Sequence, residues 1–176
     1  MLIRFIPGRI EQCSGIAYCA EYSTTPKQMK DKFVLAYMDT ARRFAELSSA
    51  HRAKVGAIIV KDNRIISIGY NGTPSGWDNN CEYIIQHHEL GTCTEVTKPE
   101  VLHAELNAIA KVARSSESCD EATMFCTHMP CMECAKAIYA AGIKTVYCGQ
   151  DYKAHKGYGK PFLLKAGIEV LYSGHK

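Results

Sequence analysis

His103-Ala104-Glu105, followed downstream by Pro130-Cys131-Met132-Glu133-Cys134, is the pattern around which this chain is built. Cys131 and Cys134 stand three apart, ahead of the helix-forming run Ala135-Lys136-Ala137-Ile138-Tyr139-Ala140-Ala141. On the first turn of a helix, positions i and i+3 share a face, so two sulfurs there can grip one metal ion. The partial positive charge at a helix N-terminus favours thiolate over thiol. His103 opens a second helical run, Ala104 to Arg114, and supplies a nitrogen. One imidazole and two thiolates are a donor set that suits Zn²⁺.

Three protein ligands leave a fourth position open to water, the mark of a catalytic rather than a closed structural site. Water held there is far more acidic than bulk water. Glu105 lies too close in sequence to His103 to be needed as a ligand. Beside the metal, its carboxylate can take a proton from that water and pass it to a ring nitrogen. The alternative is a structural zinc site with an ordinary acidic residue in a helix's first turn. Both halves of the pattern standing ahead of helices favours catalysis. Cys126, just upstream, could close the fourth position, but as a strand residue it is expected to be buried instead.

Working outward, the chain of 176 residues is long enough for one domain with a real core. Its 47% hydrophobic and 22% charged residues are ordinary for a globular protein. A net charge of +3 is too weak for the basic footprint of a nucleic-acid binder. The nine cysteines are an odd number and too sparse for a disulfide scaffold, which implies a reducing, cytoplasmic compartment. No apolar run reaches transmembrane length, and Met1 to Pro7 lack the apolar core of a signal peptide. Partners of the membrane and nucleic-acid classes are therefore not expected.

Residues 1–28 show no sustained period and are expected to form a flexible extension, with the native chain beginning at Met29 and the domain occupying 29–176. Lys30 to Ser49 is an amphipathic helix whose stripe is read as Phe33, Tyr37, Thr40-Ala41, Phe44 and Leu47. Val55 to Val60 is a buried strand, Lys61 to Arg64 a turn, and Ile65 to Tyr70 the returning strand of a hairpin. Asn71-Gly72-Thr73-Pro74-Ser75-Gly76 is a loop. Asn71 there is either a simple turn residue or a group that bonds a sugar hydroxyl. Trp77 to Pro99 is long and poorly periodic. Its Cys81, His87, His88 and Cys93 make either a second zinc site or surface histidines with a buried thiol. Further strands at Thr123 to Thr127, Thr145 to Gly149 and Ile168 to Leu171 alternate with helices. That order predicts a three-layer α-β-α sandwich around a five-stranded mixed sheet.

From about Lys30 onward the chain resembles the deoxycytidylate deaminases of the cytidine deaminase superfamily. The resemblance rests on Lys54-Val55-Gly56-Ala57-Ile58-Ile59, Gly69-Tyr70-Asn71-Gly72-Thr73-Pro74, His103-Ala104-Glu105-Leu106-Asn107-Ala108-Ile109, Pro130-Cys131-Met132-Glu133-Cys134-Ala135-Lys136 and Ala141-Gly142-Ile143-Lys144. The zinc motif marks the whole superfamily. The resemblance implies the cytidine deaminase-like fold and hydrolysis of dCMP to dUMP and ammonia, feeding thymidylate synthesis. It implies His103, Cys131 and Cys134 on zinc, Glu105 as proton shuttle, and Asn71, Ala104 and Tyr152 on the substrate. It further implies a hexamer activated by dCTP and inhibited by dTTP at a site between subunits, in the Asn71 to Gly76 loop. Arg52, Lys54, Gly72 and Ser75 are the candidates for phosphate or effector, the latter with Mg²⁺. Arg52, Lys54 and Lys153 are the local cations for the substrate phosphate. Two rival classes remain: a deaminase of tRNA adenosine or of a free nucleoside, and a non-catalytic zinc-stabilised binding module.

Overall fold

A computed structural model describes residues 29–89, 91–152 and 157–173. The expectations for residues 1–28 and for Lys153 lie outside these. In chain order the elements are α1 (Asp31–Ala45), β1 (Gly56–Lys61), β2 (Arg64–Tyr70), β3 (Glu82–His87), β4 (Thr92–Thr97), α2 (Ala104–Val112), β5 (Thr123–His128), α3 (Met132–Ala140), β6 (Thr145–Gln150), α4 (Lys160–Lys165) and β7 (Glu169–Tyr172).

Five strands form one sheet in the order β2-β1-β5-β6-β7. β1 runs antiparallel to β2 and β5, and β5, β6 and β7 are mutually parallel neighbours. The tight turn between β1 and β2 is made by Asp62 and Asn63, both with positive φ, the backbone that fits a two-residue hairpin. Side-chain alternation divides the core in two. Ile58, Val60, Phe125 and Tyr147 face Val34, Met38 and Ala41 of α1. Ala57, Ile59, Met124, Cys126, Val146 and Cys148 face the opposite layer, with Ala104 and Ala108 of α2, Ile138 of α3 and Leu163 of α4. The predicted three-layer arrangement with a five-stranded mixed sheet is the one observed. No helix among the described residues is long and apolar enough to cross a membrane.

Two expectations are corrected. The buried stripe of α1 is Val34, Met38, Ala41 and Ala45, one position round from the predicted one. Phe33 and Leu47 are 39% and 60% exposed, because small Ala41 and Ala45, rather than the largest side chains, admit the sheet closely. The segment read as irregular, Trp77 to Pro99, contains an antiparallel hairpin from Glu82↔Thr97 to His87↔Thr92. Most of its residues are β-branched or aromatic, as Tyr83, Ile84, Ile85, Thr92, Thr94, Val96 and Thr97 are, but most are solvated, so the burial alternation that betrays a strand is missing.

Close approach is enforced at Gly69 in β2. A Cβ there would stand 2.1 Å from the Ala104 carbonyl oxygen and 2.7 Å from the Ala108 nitrogen. We expect Gly69→Ala to push α2 off the sheet, costing about 3 kcal/mol and lowering Tm by on the order of 10 °C. Thermal unfolding checks this; an unchanged Tm would mean that α2 does not rest on β2 this tightly.

Candidate active site

The register of the sheet places one end of the antiparallel pair beside the end of β5. Gly56 pairs with Tyr70, and Ala57 with Cys126, so Val55, Asn71 and His128 emerge together. Two helices start over that end. His103 is the N-cap residue of α2, and Cys131 is the N-cap residue of α3, with Cys134 inside its first turn. The short connection from β5 delivers Cys131 directly. His103 is held by the residue before it: Leu102 exchanges two backbone hydrogen bonds with Gly72, of 2.9 and 3.1 Å. The start of α3 is braced by Tyr158, in a bridge with Cys131, and by the Gly159 N–H donating to the Pro130 carbonyl at 3.1 Å.

The three expected metal ligands converge. The Nδ1 of His103 lies 3.3 Å from the Cys134 sulfur and 3.5 Å from the Cys131 sulfur. All three donor atoms fall within 4.8 Å of one another. Tetrahedral zinc with Zn–S bonds of about 2.3 Å and Zn–N of about 2.0 Å needs S···N separations near 3.5 Å, so the donors fit Zn²⁺. Hydrogen bonding from Cys134 and His103 holds the Cys131 thiol down, to about 3, whereas sharing that bond with Cys131 and burial raise Cys134. A coordinated divalent cation would hold both sulfurs as thiolates.

Glu105, one residue into α2, is 4% exposed. Burial pushes its carboxyl above the ordinary value, opposed by a hydrogen bond from its own backbone N–H and by the charge of His103. A carboxyl raised in this way can both accept and release a proton near neutrality. Cys126 does not join the ligands; burial inside β5 drives its thiol well above the usual range and keeps it protonated.

A cavity of about 270 Å³ opens onto His103, Glu105 and Cys131. Ala104, Asn71, Tyr152 and Arg52 line it, so the structure gathers these expected site residues with the metal ligands. Half of the hydrogen-bonding capacity of Asn71 is used by the fold: its Oδ1 accepts from the Val55 N–H at 2.8 Å and its Nδ2 donates to the Ala53 carbonyl at 2.8 Å. One N–H and one lone pair remain. Arg52 also donates to the Thr97 hydroxyl at 3.1 Å. Lys54 is elsewhere, in a second cavity of about 750 Å³ with Arg42. Gly72 and Ser75 line a third, of about 490 Å³, with Asn107 and Lys111.

The second zinc site is not formed. Cys81 is buried beside the Ser49 hydroxyl at 3.4 Å, while His87, His88 and Cys93 are exposed along or beyond the hairpin. Cys81 precedes Glu82, and Cys93 pairs with Gln86, so the two lie roughly 17 Å apart along the strands. His87 instead bonds the Thr94 hydroxyl at 3.0 Å. Among the described residues, His103, Cys131 and Cys134 are the group that could hold a metal.

Two cavity residues escaped the sequence reading. His128 ends β5, three residues before Cys131; burial lowers its pKa and favours the neutral ring, which meets Tyr152 edge-on at 5.7 Å. Its nearness to the motif was the available signal. Glu82 had none, being one acidic residue in a segment that looked irregular.

A half-open His-Cys-Cys centre with a buried glutamate, set at the strand ends of an α-β-α sandwich, defines a zinc-dependent hydrolytic deaminase. The chain belongs to the cytidine and deoxycytidylate deaminase family, whose zinc-binding-region model matches residues 31–150. It is 40% identical to the deoxycytidylate deaminase of Enterobacteria phage T4, over 67% of this chain and 78% of that one. It is 38% identical to ComE operon protein 2 of Bacillus subtilis, over 76% of this chain and 67% of that one. Among solved structures, the dCMP deaminase of cyanophage S-TIM5 in complex with dCMP and dUMP superposes with a TM-score of 0.72. That similarity comes at 45% identity and covers 82% of this chain and 99% of the phage enzyme.

Proposed function

We propose that this protein hydrolyses dCMP to dUMP and ammonia, supplying dUMP for thymidylate synthesis. The observation that carries the proposal is one cavity that opens onto His103, Cys131 and Glu105 with Asn71 and Arg52 in its wall, the first two grouped with Cys134 as donors. Similarity to two phage deoxycytidylate deaminases supports it.

When bound by His103, Cys131 and Cys134, Zn²⁺ supplies Lewis acidity, bringing the pKa of water toward neutrality. The chain's own residues do the rest. Asn71 offers its remaining N–H and lone pair to the substrate, and the backbone of Ala104 borders the cytosine. Tyr152 and neutral His128 close the side of the base pocket and limit entry of bulk water. Glu105 takes a proton from the attacking water and delivers it to N3 of the ring, which makes C4 electrophilic. A second proton passes through Glu105 to the 4-amino group, which leaves as ammonia. Water replaces the amino group, with no change of oxidation state. Among the described residues, Arg52 is the cation of this cavity, and it is assigned to the 5′-phosphate.

Regulation follows from a specific connection. The Asn71 to Gly76 loop lines its own cavity, and its Gly72 is paired to Leu102, the neighbour of His103. An effector triphosphate with Mg²⁺ in that cavity would thus act on a metal ligand through two backbone hydrogen bonds. We assign dCTP as activator and dTTP as inhibitor in a hexamer, with Gly72, Ser75 and neighbouring Lys111 at the effector.

Ammonia release from dCMP, dCTP and deoxycytidine, measured in parallel, tests the assignment. Turnover of dCMP well above that of deoxycytidine is expected. The dCMP curve should be sigmoidal alone, hyperbolic with dCTP and depressed by dTTP, a coupling of about 1–3 kcal/mol. Equal turnover of deoxycytidine would reject a monophosphate enzyme. Hyperbolic kinetics indifferent to both triphosphates would remove the regulation and leave the reaction.

A further inference from the structure

Glu82, the first residue of β3, is 5% exposed and forms part of the wall of the 270 Å³ cavity. Its two carboxylate oxygens are treated differently by the fold. Oε1 accepts from the backbone N–H groups of His51 at 3.2 Å and Arg52 at 3.4 Å. Oε2 is buried and has no hydrogen-bond partner among the described residues. A buried acceptor without a donor is unfavourable, more so when it carries charge. Because Glu82 lines the cavity, a molecule bound there can supply that donor.

The reading of the substrate as a deoxyribonucleoside 5′-monophosphate, on which this step rests, leaves little choice. Such a cytosine nucleotide has two hydrogen-bond donors at neutral pH, the 4-amino group and the 3′-hydroxyl. The amino group is the leaving group and must lie with Glu105 and the metal ligands. The phosphate dianion carries no proton and would be repelled by a carboxylate. We infer that the buried Oε2 of Glu82 accepts the hydrogen bond of the sugar 3′-hydroxyl, making Glu82 a specificity-determining residue. Through Oε1 the same carboxylate fixes the backbone of Arg52, and with it the spacing between the 3′-hydroxyl site and the cation assigned to the phosphate.

The test compares kcat/KM for dCMP and for 2′,3′-dideoxycytidine 5′-monophosphate, in the native protein and in Glu82→Gln. Glutamine keeps the shape and an oxygen for the two amides but loses the charge. The native protein should prefer dCMP by about 100-fold or more, since a site built around a substrate hydroxyl rejects the analogue that lacks it. In the variant that preference should shrink to about tenfold or less, because the bond is no longer charge-assisted. A preference near unity in the native protein overturns the inference with no variant needed. An equally large preference in both proteins also overturns it, reducing Glu82 to a clamp on residues 51 and 52. Absence of any ammonia release from dCMP is a different result: the substrate reading itself fails there and takes this inference with it.

Discussion

Glu105→Gln should lower the rate of ammonia release from dCMP by roughly 10²–10⁴-fold or more, the range that proton shuttling alone contributes, while zinc content stays unchanged. Glu105 is not among the donors that converge on the metal position, so amide replacement leaves the His-Cys-Cys set intact. The substitution is nearly isosteric at a position with 4% exposure, so packing changes little. What disappears is the ability to hold a proton in one step and release it in the next. Burial raises the pKa of this carboxyl, which brings its two protonation states closer in energy near neutrality. Metal analysis beside a steady-state assay decides the matter. Near-native turnover in the variant would remove Glu105 from the mechanism, and loss of zinc would make it a ligand.

Cys131→Ala should abolish the metal and the activity together. The native protein is expected to carry about one zinc per chain, because among the described residues one donor group is assembled. Removing Cys131 leaves two protein ligands, and it removes the sulfur whose thiol is already held low, at about 3. Imidazole and the remaining thiol cannot hold Zn²⁺ with comparable affinity, since a catalytic site rests on three protein donors. The polypeptide should still fold, as the two core layers on either side of the sheet are built from other residues. Two zincs in the native protein would require ligands outside this group, and a zinc-replete Cys131→Ala would show that a different sulfur takes its place.

Much of this molecule could be read directly from local pattern. The candidate zinc ligands were legible because chemistry fixes their spacing: Cys131 and Cys134 must share one face of a helix start, and His103 must open another helix beside Glu105. The strands were legible because the buried centres of β1 and β5, Ala57 to Val60 and Met124 to Cys126, are continuous apolar runs, as in strands covered on both faces. The hairpin of β3 and β4 was not, since most of its residues face solvent and neither a period of two nor a buried run survives. The stripe expected for α1 from its helical period lies one position round from the buried one, Val34, Met38, Ala41 and Ala45. The sheet in fact selects Ala41 and Ala45, against which Gly56 packs without a Cβ.

Spacing and periodicity in the chain were enough to pick out the candidate metal donors, the carboxyl proposed as general base and the α-β-α layering, all of them short-range patterns. Tertiary structure alone decided which distant groups share the cavity. Glu82 and Arg52 reach it because the β3 start folds back onto the residues before β1. Lys54, two positions from Arg52, is carried into a different cavity. The Gly72–Leu102 bridge, which ties a surface loop to a metal ligand, joins segments far apart along the chain. Neighbours of this kind are set by strand register and helix packing over the whole domain, and no local pattern records them.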